Sequence, residues 1–204
     1  MNNHKLKLFL ALNCLIAILE IIANAICFVE IGWMMLIYYT QLSNLFLLVA
    51  AIVNIIASIR AFKNKRHKIP DGAFRLFHAA TSATTVTFLV VVFVLSWMVG
   101  DIVYALTAGL MLFTHTLCPL LAIATHCIFA PKCFAKKSAW RAIAFTAAYA
   151  AVVIPLNVIR VLHGPYPFLY VYEQPIWASI LWIVGIFAGA YGIARALLIG
   201  KIRK

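Results

Sequence analysis

The feature that most limits what this chain can become is the recurrence of long apolar runs, at residues 8–29, 34–59, 74–99, 102–130, 140–162 and 176–199. Each is bounded by charge, proline or glycine, and each is long enough to cross a bilayer core, which takes a helix of about 20 residues. Six such spans consume most of the 204 residues, and a chain that is 66% hydrophobic and 11% charged is not a water-soluble globule. The expectation is an all-α polytopic membrane protein with six transmembrane helices in one domain, residues 1–204. The first run is too long for a signal-peptide core and lacks a small-residue cleavage site, so it is read as a span that stays.

Charge then orients the spans. The net charge of +12 comes from 17 Lys and Arg against 5 Asp and Glu, which in a soluble protein would point to nucleic acid. In a membrane protein it reports topology, and no nucleic-acid partner is expected. Lys5 and Lys7 precede the first span; Arg60, Lys63, Lys65, Arg66, Lys68 and Arg75 flank the second connection; Lys132, Lys136, Lys137 and Arg141 surround the fourth; Arg195, Lys201, Arg203 and Lys204 close the sequence. Because bases are retained on the cytoplasmic side, both termini are expected there, with Arg160 alone at the opposite face. The outer connections carry Glu30, Asp101 and Glu173. The five cysteines contain no C-x-x-C pair and read as small buried hydrophobes.

Polar side chains inside hydrocarbon are the best functional signal, because they are costly and turn toward the bundle interior. At 1.5 Å of rise per residue, Glu20 in span one, Thr40 in span two, His115 in span four and Asn157 in span five fall at one level in the outer half of the bilayer. Thr40, Ser43, Asn44, Leu47, Ala51, Asn54 and Ser58 make a polar or small stripe on span two, and Asn13, Ala17, Glu20 and Asn24 make another on span one. Such stripes also serve as interhelical glue, the reading given to Asn13, Asn54, Ser58 and the Thr81, Ser82, Thr84, Thr85 face of span three. Gly185 and Gly189 read as a packing motif.

Thr40 and His115 stand apart because they offer a nucleophile and a base, an imidazole being the side chain suited to take a hydroxyl proton near neutrality. Pro119 cannot donate to the carbonyl of His115, so span four should kink beside the imidazole. The same pair also fits a hydrogen-bonded core without chemistry. The outer loop at residues 163–175, dense in Tyr and Pro, reads as an interfacial anchor or as a lid over a lipid entrance. His78 and His126, near the cytoplasmic end, are candidates for axial haem ligands, although histidines there are commonly interfacial.

Tyr39-Thr40-x-x-Ser43-Asn44, His115-x-x-x-Pro119 and Gly164-Pro165-Tyr166-Pro167-Phe168-Leu169, in that order, resemble the prokaryotic relatives of the androgen-induced-gene and androgen-dependent-regulator membrane proteins. Those are multipass threonine hydrolases of fatty-acid esters of hydroxy fatty acids. The resemblance implies Thr40 as nucleophile, His115 as base, a fatty-acid ester or related membrane lipid as substrate, and residence in a prokaryotic cytoplasmic membrane. Within that reading Ser43 or Asn44 would supply oxyanion donors. Asn157 or Glu20 would orient the imidazole, or Glu20 would pair with Arg160. No cofactor or metal is called for. The alternative is a non-catalytic module that binds or transports a lipid or small polar solute through the same cavity.

Overall fold

The computed structural model describes residues 1–65 and 68–202, so Arg66, Arg203 and Lys204 of the basic clusters lie outside the described residues. It is all-helical, and five of its helices are long and apolar enough to cross a membrane. The helix α1 (Asn3–Ile31) starts on Asn2, whose side chain accepts from the Lys5 N–H at 2.8 Å, and ends at Gly32 with φ +57°. A 3-10 turn (Gly32–Ile37) leads into α2 (Tyr39–Lys63). Pro70 and Asp71 then open α3 (Asp71–Val90), an acid in the first turn complementing the helix dipole.

Span four departs from the expected single helix. After α4 (Ser96–Val99), the short α5 (Ile102–Thr107) is capped by Asp101 and broken at Ala108 and Gly109, the latter at φ +48°. The chain then re-enters as α6 (Cys118–Phe129). α5 lies back along the re-entering segment, since Ala105 and Leu106 carbonyls accept from His115 and Thr116 ten residues later. The span that carries His115 is therefore Leu112–Phe129.

Span five is short. α7 (Ser138–Ala142) and α8 (Ala144–Val158) are separate helices, and the 15 residues of α8 rise about 22 Å, less than a full hydrocarbon core. α9 (Ile176–Ala196) closes the bundle with Ala190 and Ala194 as its buried residues. No described atom lies within 4 Å of a Cβ placed on Gly185 or Gly189, so the expected packing motif meets no partner helix within the chain. The cysteines are all free; Cys27, Cys118 and Cys133 are buried, whereas Cys127 is exposed.

The ends of the bundle are chemically distinct. At one end Phe9 of α1 packs on Phe74 of α3 and Phe129 of α6, both at 5.4 Å, which gathers the basic segments: Arg75 donates to the Cys133 carbonyl and Lys201 to the Cys127 carbonyl. The opposite end carries Glu30 in the last turn of α1 and Asp101, Arg160 and Glu173 on the connections after α4 and α8. Between them the hydroxyls of Ser82, Thr84 and Thr85 on buried α3 donate to carbonyls three and four residues back, which satisfies them without a partner helix. Asn54 reaches across from α2 to the Asn13 side chain at 3.1 Å.

That amide pair is the interhelical glue the stripes implied. Asn13→Ala and Asn54→Ala, alone and combined, are expected to show a coupling of about 0.5–2 kcal/mol in a double-mutant cycle of unfolding in detergent. Strictly additive losses would contradict it.

Candidate functional site

Two stretches of the backbone beside the site depart from the α-helix. Val91–Leu95 and Leu112–Leu117 are both wound as π-helix, with Ser96 N–H reaching Val91 O and Cys118 N–H reaching Phe113 O. In the second segment the cause is Pro119: with no N–H for the His115 carbonyl, the ladder slips by one residue, a wide turn where a kink was expected. In the first, the Ser96 hydroxyl takes the Val92 carbonyl at 2.6 Å.

Two cavities flank these segments. The wider, about 700 Å³, is lined by Glu30, Tyr38, Gln41, Tyr104 and Thr114, together with Thr40 and His115. The narrower, about 70 Å³, is an apolar slot whose walls include Val86, Val90, Val153, Ile183, Ile186 and Phe187. Thr40, Leu95 and Tyr166 border both. Thr40 thus sits where a wide, partly polar cavity meets a narrow apolar slot.

The hydrogen bonds fix chemical roles. His115 Nδ1 lies 2.9 Å from the Ala105 carbonyl, which accepts only, so Nδ1 carries the proton and Nε2 keeps its lone pair. Thr40 is 7% exposed; its N–H donates to the Tyr166 hydroxyl at 3.1 Å, and its Oγ1 is 3.2 Å from that same oxygen. Among the described residues no hydrogen bond joins Thr40 to the imidazole. Ser43 and Asn44, expected as oxyanion donors, instead donate to the Thr40 carbonyl at 2.9 and 2.8 Å, with Asn44 also 3.2 Å from the Thr114 carbonyl. They hold the first turn of α2 in place and have little donor capacity left for a ligand.

Tyr166 is the residue the sequence reading passed over as a site group, because the outer loop looked interfacial. Its ring is buried, stacked on Phe168 at 5.1 Å and edge-on to Tyr38 at 6.3 Å, so this part of the loop is a wall between the two cavities. Burial pushes its phenol above the usual tyrosine range, and the two Thr40 contacts offset that only in part.

Asn157 and Glu20 do not reach the imidazole. Asn157 donates to the Leu169 carbonyl and so pins the loop that carries Tyr166. Gly164 must be glycine there, since a Cβ would lie 2.5 Å from both Asn157 Nδ2 and Leu169 Cβ. Glu20 is fully buried on α1, where Asn24 donates to its carbonyl and carboxylate and Cys118 adjoins it. Arg160 does not pair with it; it lies 4.3 Å over the exposed Tyr172 ring at the end of the bundle opposite the basic one. Of the four groups expected at one level, Thr40 and His115 share a cavity, while Glu20 and Asn157 are tied into neighbouring packing.

His78 and His126 face one another with centroids 5.1 Å apart, and both rings contact Phe134. Two imidazoles ligating one haem iron from opposite faces hold their centroids about 6 Å apart with a porphyrin between, so this packed pair does not fit that role. Among the described residues no group of three or more His, Cys, Asp or Glu side chains converges as a metal site.

No family model, curated protein or solved structure matches the chain.

Two outcomes test the loop's role. Gly164→Ala is expected to displace the Asn157–Leu169 clamp and lower the unfolding temperature by several degrees, roughly the effect of 1–3 kcal/mol of overpacking; an unchanged midpoint would show the loop is not clamped. Because the folded phenol of Tyr166 holds its proton above the unfolded value near about pH 10, the stability it contributes is complete below that pH and is lost as pH rises toward the folded value. The unfolding midpoint of the native chain should therefore fall more steeply above pH ~10 than that of Tyr166→Phe.

Proposed function

We propose that the chain crosses the membrane six times with both termini cytoplasmic, and that it hydrolyses lipid esters inside the bilayer with Thr40 as nucleophile and His115 as base. The observation that carries this reading is that Thr40 and His115 line one wide cavity with polar groups on its wall while Thr40 also borders an apolar slot. An ester has the same division, a polar carbonyl joined to an acyl chain. The all-but-uniform basic end supports the orientation, which puts the cavities in the outer half.

In this mechanism Thr40 Oγ1 attacks the ester carbonyl carbon as its proton passes to His115 Nε2, the nitrogen left basic by the Nδ1–H bond to Ala105. The carbonyl π electrons move onto oxygen, and Tyr166, whose hydroxyl is the donor nearest Thr40, stabilises that oxyanion in place of Ser43 and Asn44. Collapse breaks the C–O bond to the leaving alcohol, which takes the proton from His115. A water from the wide cavity then attacks the acyl-threonine by the same route and releases the fatty acid. Thr40 and His115 line the same cavity without a direct hydrogen bond, so in this mechanism the proton passes when substrate binding tightens the site or through a water relay.

Thr40→Ala and His115→Ala are each expected to lower ester turnover and fluorophosphonate labelling by at least about 100-fold while the purified protein keeps its unfolding midpoint, and Thr40→Ser should retain part of the activity. Full labelling in both alanine variants would remove the pair from the mechanism. Solute movement across proteoliposomes with no ester turnover and a silent Thr40→Ser would favour binding or transport through the same cavity.

A further inference from the structure

At the basic end of the bundle, far from Thr40, a third cavity of about 270 Å³ lies between the α6–α7 connection and the turn that follows α9. Lys132 contributes from the first side and Arg195 from the second; Leu198, Ile199, Gly200 and Ile202 complete it. Neither base has an acidic partner among the described residues.

The walls are built by contacts that leave these two charges free. Lys201 donates to the Cys127 carbonyl at 2.8 Å, His126 bonds the Leu197 carbonyl at 3.1 Å, and Phe134 N–H meets the Lys201 carbonyl at 3.4 Å, with Phe134 and Ile202 paired as a bridge. These bonds fix the turn after α9 against the loop. They also occupy carbonyls of that turn, as do Leu198 N–H on Arg195 O and Lys201 N–H on Leu198 O. The carbonyls of Arg195, Leu197, Leu198 and Lys201 are thereby paired within the protein, and the two bases sit at the C-terminal end of α9, where the helix dipole favours cations.

The surroundings are those of the bilayer boundary. Ile199 is 79% exposed in the turn after α9, and exposed Trp140 packs at a tilt against Tyr191, one turn before Arg195, with ring centroids 4.5 Å apart. An aromatic and an apolar side chain turned outward next to a cationic pocket match a ligand that is anionic at its head and apolar below it. We infer that this cavity binds the phosphate headgroup of an anionic phospholipid, with Lys132 and Arg195 on the phosphate and the acyl chains running back along α9 past Tyr191 and Trp140. The inference needs the membrane setting and is independent of the hydrolase reading.

The full chain in detergent can be titrated with phosphatidylglycerol, with phosphatidylcholine of the same acyl chains, and with glycerol phosphate, bound lipid being counted by native mass spectrometry. Phosphatidylglycerol is expected to bind about tenfold more tightly than phosphatidylcholine, with a preference that shrinks as salt rises. The double variant Lys132→Ala/Arg195→Ala should lose that preference, and Lys136→Ala/Lys137→Ala, on the same face outside the pocket, should keep it. If the alanine variant does not fold, Lys132→Gln/Arg195→Gln takes its place, and the salt dependence of the native chain is an independent readout. Equal binding of the two lipids, equal loss in both double variants, or displacement by glycerol phosphate as effective as by the lipid would each overturn the proposal, the last by pointing to free phosphate.

Discussion

In hydrocarbon there is no water to satisfy a backbone N–H or C=O, so every departure from the α-helix must be paired by the protein itself or must open onto a cavity. The structure follows that constraint closely. The two π segments, the break at Ala108 and Gly109, and the loop carrying Tyr166 are four interruptions of a helical ladder within the bundle or against it. All four border the two cavities that meet at Thr40. The freed groups find partners nearby: His115 and Thr116 side chains on α5 carbonyls, Ser96 on Val92, and Asn157 on Leu169. Irregular backbone and candidate chemistry therefore coincide for one physical reason.

That coincidence gives Pro119 a larger part than a kink. Its missing donor shifts the hydrogen-bond register around His115, and the widened turn sets the imidazole against α5, where a backbone carbonyl selects its tautomer. A straight helix through residues 102–130 would leave Ala105 two to three turns from His115 along the axis, unable to accept from it. The loop acts similarly on Thr40. By inserting Tyr166 between cavities, it places a hydroxyl on the Thr40 backbone and side chain at once.

Several features could be read from the residues alone, and the reasons others could not are specific. Asn13 and Asn54 were recognisable as glue because helical periodicity places each on its buried face, and the two faces meet. Ser43 and Asn44 share the stripe of Thr40, but spacing gives no hint that their donors would be drawn to carbonyls within α2. Glu20 and Arg160 invite pairing by charge, yet burial beside Asn24 and Cys118 separates one from the other, which stacks on Tyr172. Tyr166 carried only its place in a Pro-rich motif, since nothing local distinguishes a ring lying at an interface from one driven 126 residues back in sequence onto Thr40.

Sequence alone makes the chain legible as helical, with spans long and apolar enough for a membrane, because hydropathy and length are properties of each segment and a bilayer tests each segment separately. It also determined the segregation of basic residues, for the same reason. Which polar groups meet is set by packing between helices. A helix fixes the direction of a side chain relative to its own axis, but contact between Thr40 and Tyr166, or between His115 and a carbonyl ten residues away, depends on how helices rotate, break and close around one another, and that is set by packing summed over the whole bundle.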